Sequence, residues 1–532
     1  MPRLFVDACS LAYDLGIKYV WIDSICIVQP ATNHASDVPS SEDLEDWNRE
    51  APMMGRYYQN AWITIAATSA AVENGLFNMR RAGPTPRITR LPYRDKTGEH
   101  KGYFYVQGTE PDVLQSEFGT DIEKSELWQR GRVYQERILS RRLITFSGSG
   151  FFLYCHTKGP RAPIGDHFLG VSATKKTIMD LGLWKMQQTG KPFSSNYMHW
   201  PTIVSEYSGL GLSKLAQDRL VALAGIASEV GRSIEAERTR KRLCDEETSS
   251  EHTLRYACGL WLVDPRIDLY WEQATTGLRR RVPGLPTWSW ASMADRIRRT
   301  DNGQEILAGG MGVRWPMTWL GNPESVSKIR NTTVITTEDN QSWLPQFSQP
   351  LRSIPEYQYG NATRFVILTL EGRLLPVHIG THFTDTEAEL AADLTNIEVS
   401  DPDSINSALE SLNEKRPWGA DLWRGVCIPS KPNTILGWAS LEHPEMQSDS
   451  TVVSSGQIFA FFLGRNEEKG GWLRLGPWLV DRIFYTVLLL RRATISTPGF
   501  DNCFERVGIG GLWGLEVDKQ YQSAPETTLS LI

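Results

Sequence analysis

The sequence predicts an α/β protein: a largely parallel sheet flanked by helices in the first third, a helical middle and a β-rich last third. Three observations predict it. Helix-period and strand-period stretches alternate from residue 3 to residue 155, the order that builds βαβ units. The run from Lys18 to Gln29 is almost unbroken in its apolar character and holds one aspartate, the pattern of a strand buried on both faces. In the last third, short apolar runs recur between polar loops.

Taken in order, Leu4, Ala8, Leu11, Ala12 and Leu15 form a helical stripe, and Gly16 supplies its stop. The strand through Asp23 follows. In open α/β sheets the carboxyl ends of strands line the ligand crevice, so Asp23 to Gln29 is the first place to look for chemistry. A second helix is expected where Trp47, Met54 and Tyr58 recur, with Asp43, Glu45 and Asp46 in its first turn. The β-branched stretch Trp62 to Ala67 is the next strand. After a Gly/Pro-rich excursion come a helix around Leu127 to Leu139 and strands at Leu143 to Phe146 and Phe151 to Tyr154. Trp21, Trp47 and Trp62 are read as core aromatics, and Cys26 as a small buried hydrophobe.

In the middle third, Trp200, Val204, Tyr207 and Leu210 make one helical stripe, and a Trp-rich run closes the region at Pro286 to Ser292. Strands in the last third are expected at Phe365 to Leu370, Gly425 to Ile428, Ile458 to Leu463, Phe484 to Leu490 and Arg506 to Ile509, with Gly508 to Gly511 as a turn. The expected domains are 1–157, 158–300 and 301–532.

Composition narrows the function classes. A net charge of −6 and short basic clusters give no electrostatic footprint for nucleic acid. The apolar runs fall short of the roughly 20 residues a membrane span needs. Seven scattered cysteines, none in a C-x-x-C pair, point to free thiols and a cytoplasmic setting, and no metal-ligand spacing is present. Phosphate-loop, H-E-x-x-H and G-x-S-x-G motifs are absent.

What remains is an ordered series of blocks: Leu15 to Gln29, Asp46-Trp47 with Met54 and Tyr58-Gln59-Asn60-Ala61, Ile65 to Ala70, Gln135-Glu136-Arg137, and Leu285 to Ser292. Together they resemble the fungal heterokaryon-incompatibility (HET) domain family. The resemblance covers residues 1 to 157 as a domain and continues weakly to 300. It implies a TIR-like sheet and a role in fungal non-self recognition and programmed cell death, through protein partners and self-association. By distant likeness to TIR domains, some of which cleave NAD with a helix-borne glutamate, it implies Glu136 as catalytic carboxylate, Asp23 as a second, and NAD as substrate. Trp21, Ser24, Gln29, Arg132 and Gln135 are then the ligand-binding candidates. Two departures stand out. The family's opening strand, resembling Ser-Tyr-x-Trp-Gly, has no counterpart, so the sheet is expected to lack a strand. Arg132 occupies a position where the family usually has Trp. One turn before Glu136, its cation is expected to favour the charged carboxylate, against a general-acid role.

Two other classes fit parts of the chain. A non-catalytic interaction scaffold would need no active Glu136. A carbohydrate-active hydrolase would use some of the 19 tryptophans as sugar platforms and a carboxylate pair for chemistry.

Overall fold

The computed structural model describes residues 1–28, 45–50, 53–68, 75–77, 88–107, 122, 124–148, 150–155, 159–161, 199–212, 219–232, 234, 256–273, 280–281, 285–294, 298–299, 305–306, 313–314, 324–334, 366–382, 424–432, 434–442, 457–467, 473–475, 478–480, 483–493 and 502–532. The chain forms two compact units, residues 1–191 with 222–229, and residues 192–221 with 230–532.

In the first unit, α1 (Arg3–Asp14) buries Ala8 and Ala12. Gly16 ends it at φ +71°. Its N–H and that of Ile17 close back on the carbonyls of Tyr13 and Ala12, the bonding of a Schellman cap. Asp7, buried on the same helix, accepts from the Leu76 N–H at 2.9 Å and pairs with Arg3. Gly75 (φ +75°) makes that contact feasible, since a Cβ there would meet the Asp7 carboxylate.

The sheet consists of β1 (Thr64–Ala67), β4 (Arg142–Phe146), β5 (Phe151–Cys155) and β6 (Gly159–Arg161), in that spatial order. Side chains alternate across it as period-2 strands require. Ile65, Ala67, Ile144, Phe146 and Phe151 face Ala8 and Leu11 of α1. Ala66, Leu143 and Phe152 face Ile122, Trp128 and Val133. Val133 belongs to α5 (Gly131–Leu139), so the sheet has a helix on each face. Between β1 and the later strands runs a hairpin of β2 (Ile88–Arg94) and β3 (His100–Gln107). Asp95 organises its turn by accepting from the N–H groups of Thr97 and Glu99.

Several expectations are corrected here. The sheet is mixed rather than largely parallel: β1 and β4 pair parallel, while β4–β5 and β5–β6 are antiparallel. The cause is connection length. Ser147 and Gly150 close a tight turn (N–H to carbonyl, 2.7 Å), and a link that short can only return the chain antiparallel. The Lys18 to Gln29 run is not a buried strand. Residues 17–22 pair with no strand among the described residues, and Asp23–Cys26 form a short helix, α2. Tyr19 is 87% exposed, and Val20, Ile25 and Val28 also face solvent. An apolar run without a neighbouring strand has no ladder to join, and periodicity alone could not reveal that lack. The expected single helix from Trp47 to Tyr58 is two, α3 (Glu45–Glu50) and α4 (Met54–Asn60), with Pro52 between them in sequence. Cys26 is exposed rather than buried. Trp62 is 55% exposed, its ring under the Arg142 guanidinium and its carbonyl accepting from it.

The second unit centres on a nine-stranded sheet. Helix α6 (His199–Ser208) carries the buried Trp200, Val204 and Tyr207 of the expected stripe. Six strands, β7 (Val366–His382), β8 (Arg424–Cys427), β9 (Gly437–Leu441), β10 (Ile458–Glu467), β11 (Ile483–Arg492) and β12 (Cys503–Trp513), cover the five expected runs except for Ile428, just past β8, and Phe365, which lies outside the described residues. Their antiparallel pairings close a ring in the order β7-β10-β11-β12-β9-β8-β7. Inside it, Leu375, Val377, Ala460, Phe462, Val487, Leu489 and Val426 pack with Val517 of α7 (Leu515–Ser523). Gly508 to Gly511 is strand, not turn. A Cβ at Gly508 or Gly510 would run into the carbonyl of Ser440 or Trp438 on β9, so the close approach of β9 and β12 requires glycine.

Arg506 on β12 is fully buried. It pairs with Glu442 at 2.5 Å, donates to the carbonyls of Leu269 and Trp271, and lies 3.4 Å from the Trp271 ring centroid. Trp200, Trp261, Trp271, Trp288 and Trp290 are likewise buried. The indoles of Trp200 and Trp290 both donate to the Gly259 carbonyl, at 2.9 and 2.8 Å.

Two stability tests follow from these contacts. Glu442→Ala leaves the Arg506 charge buried and should cost about 3–5 kcal/mol in denaturant unfolding, whereas Arg506→Met with Glu442→Leu together should recover most of it. In the first unit, Gly75→Ala should cost about 1–3 kcal/mol, read the same way, through an unfavourable φ and displacement of Asp7.

Candidate functional site

The site is built by helix packing. Helix α4 approaches α5 and the helical stretch 224–229 so closely that a Cβ on Gly55 would stand 3.1 Å from the Gly225 Cα and from Leu139. Gln135, buried on α5, accepts from the Gly225 N–H at 3.3 Å. At the end of α5, the Ser140 hydroxyl bonds Thr64 of β1 and donates to the Glu136 carbonyl, both at 2.6 Å. The turn of helix bearing Glu136 is therefore held from both sides.

Onto this frame the chain brings Trp21, Asp23, Tyr57, Tyr58, Arg132 and Glu136. Tyr58 lies beside Glu136, whose charge acts on its phenol. Trp21 packs against Tyr57 at 5.1 Å and edge-on against Tyr58 at 5.7 Å. Tyr57 turns its own hydroxyl the other way, to Glu50. The strip after α2 is tied down where the Val28 N–H donates to Asp46 at 2.8 Å, and Asp46 also holds Arg49.

Electrostatics separate the two carboxylates. Asp23 is exposed at the first turn of α2, where its carboxylate accepts from the Ser24 N–H at 2.7 Å. Glu136 is half-buried, and its carboxyl is pushed up to about 7. Burial is the main cause. The Tyr58 phenol and the Arg132 cation pull it down, and the Asp23 charge pushes it up. Arg132 favours the charged carboxylate as expected, but an exposed cation one turn away is outweighed by desolvation. Tyr58 is raised far above its ordinary value by burial and then by the Glu136 charge, so its phenol stays protonated.

Of the candidate residues, Glu136, Asp23, Trp21 and Arg132 come together. Ser24 neighbours them on α2, Gln135 is committed to the packing contact with Gly225, and Gln29 lies outside the described residues. Other arginines near α5 have different roles, Arg130 pairing with Glu126 and Arg137 lying over Trp128. Tyr57, Tyr58 and Asp46 were not singled out as site residues. The available signal was the Tyr57-Tyr58 doublet: adjacent helical positions point about 100° apart, so both rings cannot face one core.

A carboxyl raised in the folded state makes stability depend on pH. Below its unfolded value near 4.5 the group is neutral in both states, and the associated stability is fully present. It is lost as pH rises toward about 7. Glu136→Gln should therefore gain stability relative to the parent at pH 8 and not at pH 4, by at most a few kcal/mol in urea unfolding. No curated protein and no solved structure matches the chain. Residues 1–136, which hold Trp21, Asp23, Tyr57, Tyr58, Arg132 and Glu136, match the family model described as Heterokaryon incompatibility protein (HET), and the resemblance read from the sequence blocks holds over that segment.

Proposed function

We propose that the chain is an effector or signalling protein of the heterokaryon-incompatibility type, acting in non-self recognition and cell death, whose first unit hydrolyses NAD. The carrying observation is the gathering of two carboxylates, Glu136 and Asp23, beside the aromatic rings of Trp21, Tyr57 and Tyr58. Aromatic faces with nearby anions attract flat cations, and the nicotinamide of NAD is a pyridinium. Cleaving the ribose–nicotinamide bond sends its electron pair to the ring nitrogen, so nicotinamide leaves as a neutral molecule without needing a proton. Positive charge develops on the ribosyl carbon. An ionised Glu136 stabilises that charge, water then adds to the carbon, and ADP-ribose and one proton are released. Arg132, exposed on α5, is the cation assigned to a phosphate of the dinucleotide in this reading.

Protein partners suit such a module. The β2–β3 hairpin exposes Leu91, Tyr93, Phe104 and Tyr105, a concentration of apolar surface typical of contact regions. Among the described residues no helix is long and apolar enough to cross a membrane. The carbohydrate-active reading loses its main support, because Trp200, Trp261, Trp271, Trp288 and Trp290 are core rather than platforms.

Nicotinamide release from NAD by the purified protein tests the proposal. The parent should turn over, Glu136→Ala should lose at least about 100-fold, and Asp23→Asn should lose less. Because the carboxylate is the working form, the parent rate should climb as pH rises through about 7. A parent protein with no nicotinamide release would leave the interaction scaffold as the better reading.

A further inference from the structure

We propose that Arg49 is a positioning residue for the candidate site: it joins the two anchors of the strip that carries Trp21 and Asp23, and so fixes that strip against α4. This deepens the reading above and rests on it for the role of the site. The strip pairs with no strand among the described residues, so side chains have to hold it. At its front, Trp21 packs on Tyr57 at 5.1 Å and edge-on to Tyr58 at 5.7 Å. At its rear, Ile27 is buried and the Val28 N–H donates to Asp46 Oδ2 at 2.8 Å. The other Asp46 oxygen, Oδ1, accepts from Arg49. Arg49 Nε also donates to Glu50 Oε1 at 3.1 Å, and Glu50 Oε2 accepts from the Tyr57 hydroxyl. The contacts therefore run from Val28 through Asp46, Arg49, Glu50 and Tyr57 to Trp21, and close on the strip where they began.

Asp46 and Glu50 stand one turn apart on α3, a spacing at which two carboxylates repel. One guanidinium serves both through different nitrogens, Nη2 on Asp46 and Nε on Glu50, which a forked cation can do and a point charge cannot. The Arg49 side chain is 66% exposed, and exposed ion pairs add little to overall stability. Its effect is local. Without the cation, Asp46 and Glu50 turn away from each other, and the holds on the Val28 N–H and on Tyr57 loosen together. Glu136 is fixed separately, because Gln135 and Ser140 tie α5 to Gly225 and to β1. Loss of Arg49 thus frees Trp21 and Asp23 while leaving Glu136 in place.

Arg49→Met removes the guanidinium and keeps much of the side chain's length. Hydrogen–deuterium exchange, resolved to the Val28 amide by mass spectrometry with fragmentation, should run about 10-fold faster in Arg49→Met and in Asp46→Ala, and no faster in the double variant, since both act through one contact. In fluorotryptophan-labelled protein, the Trp21 resonance, assigned by its loss in Trp21→Phe, should shift in Arg49→Met, while the urea unfolding midpoint should barely move. In nicotinamide release from NAD, KM should rise about 10-fold and kcat should fall less than about 3-fold, because the ring platform is displaced and Glu136 is not. Unchanged Val28 exchange in folded Arg49→Met overturns the proposal, and so does additive acceleration in the double variant. Should Arg49→Met fail to fold, Arg49→Lys keeps the charge without the fork and should also speed Val28 exchange; protection equal to the parent's overturns the proposal equally. Because exchange needs no substrate, faster exchange in a protein that releases no nicotinamide upholds the positioning role and removes only the NAD reading.

Discussion

The close approach of α4 to α5 and the stretch 224–229 is the constraint on which the candidate site depends. It is made possible by two glycines, Gly55 and Gly225, facing each other where a single Cβ would have to displace backbone or Leu139. Gln135 then stitches the interface with a buried hydrogen bond to the Gly225 N–H. Once the backbones are this near, Tyr58 reaches across from α4 to Glu136 on α5, and Trp21 can cover both tyrosines. The arrangement of the candidate site is thus a consequence of packing. Ser140 adds the second anchor by tying the end of α5 to β1, so Glu136 is fixed relative to the sheet as well as to α4.

The balance of forces on Glu136 shows why position outweighs pairing. An exposed Arg–Glu pair at one-turn spacing is worth roughly 0.2–0.5 kcal/mol. A carboxyl raised from 4.5 to about 7 corresponds to roughly 3 kcal/mol of discrimination against the charged form, at about 1.4 kcal/mol per unit. Arg132 is exposed and screened, so it cannot cancel the loss of water around the carboxylate. Asp23, whose charge reaches the same place, adds to the penalty. The result is a group that changes state near neutral pH, where a functional acid or base is useful and a structural one is a liability.

The parts of the fold that were legible in the sequence are those set by local pattern. The α1 stripe and its Gly16 stop needed only helical spacing and a residue that tolerates positive φ. The strands of the β-rich unit announced themselves as short apolar runs between polar loops. What could not be read depends on partners distant in sequence. The Lys18 to Gln29 run has the composition of a buried strand but no strand beside it among the described residues. β5 has the same kind of composition as a parallel strand, and only the brevity of the Ser147–Gly150 turn makes it antiparallel. Asp23 could be named because a charged residue in apolar surroundings stands out, whereas Glu136, set among arginines, is named only through the resemblance to TIR-like domains. Tyr58 could not, since its four-residue spacing from Met54 is also that of an ordinary core stripe.

Arg506 in the second unit shows by contrast what makes Glu136 unusual. Arg506 is more completely buried, yet its charge is met by Glu442, by the carbonyls of Leu269 and Trp271, and by the face of the Trp271 indole. Every one of those neighbours favours the cation, so burial there produces a fixed ion pair with a structural role. Around Glu136 the neighbours disagree: Tyr58 and Arg132 favour the anion, while Asp23 and the loss of solvent oppose it. Burial alone does not distinguish a working charge from a structural one. A group whose surroundings pull in both directions can change protonation state at small cost, and that property separates the Glu136 cluster from the larger and better buried charge pair elsewhere in the chain.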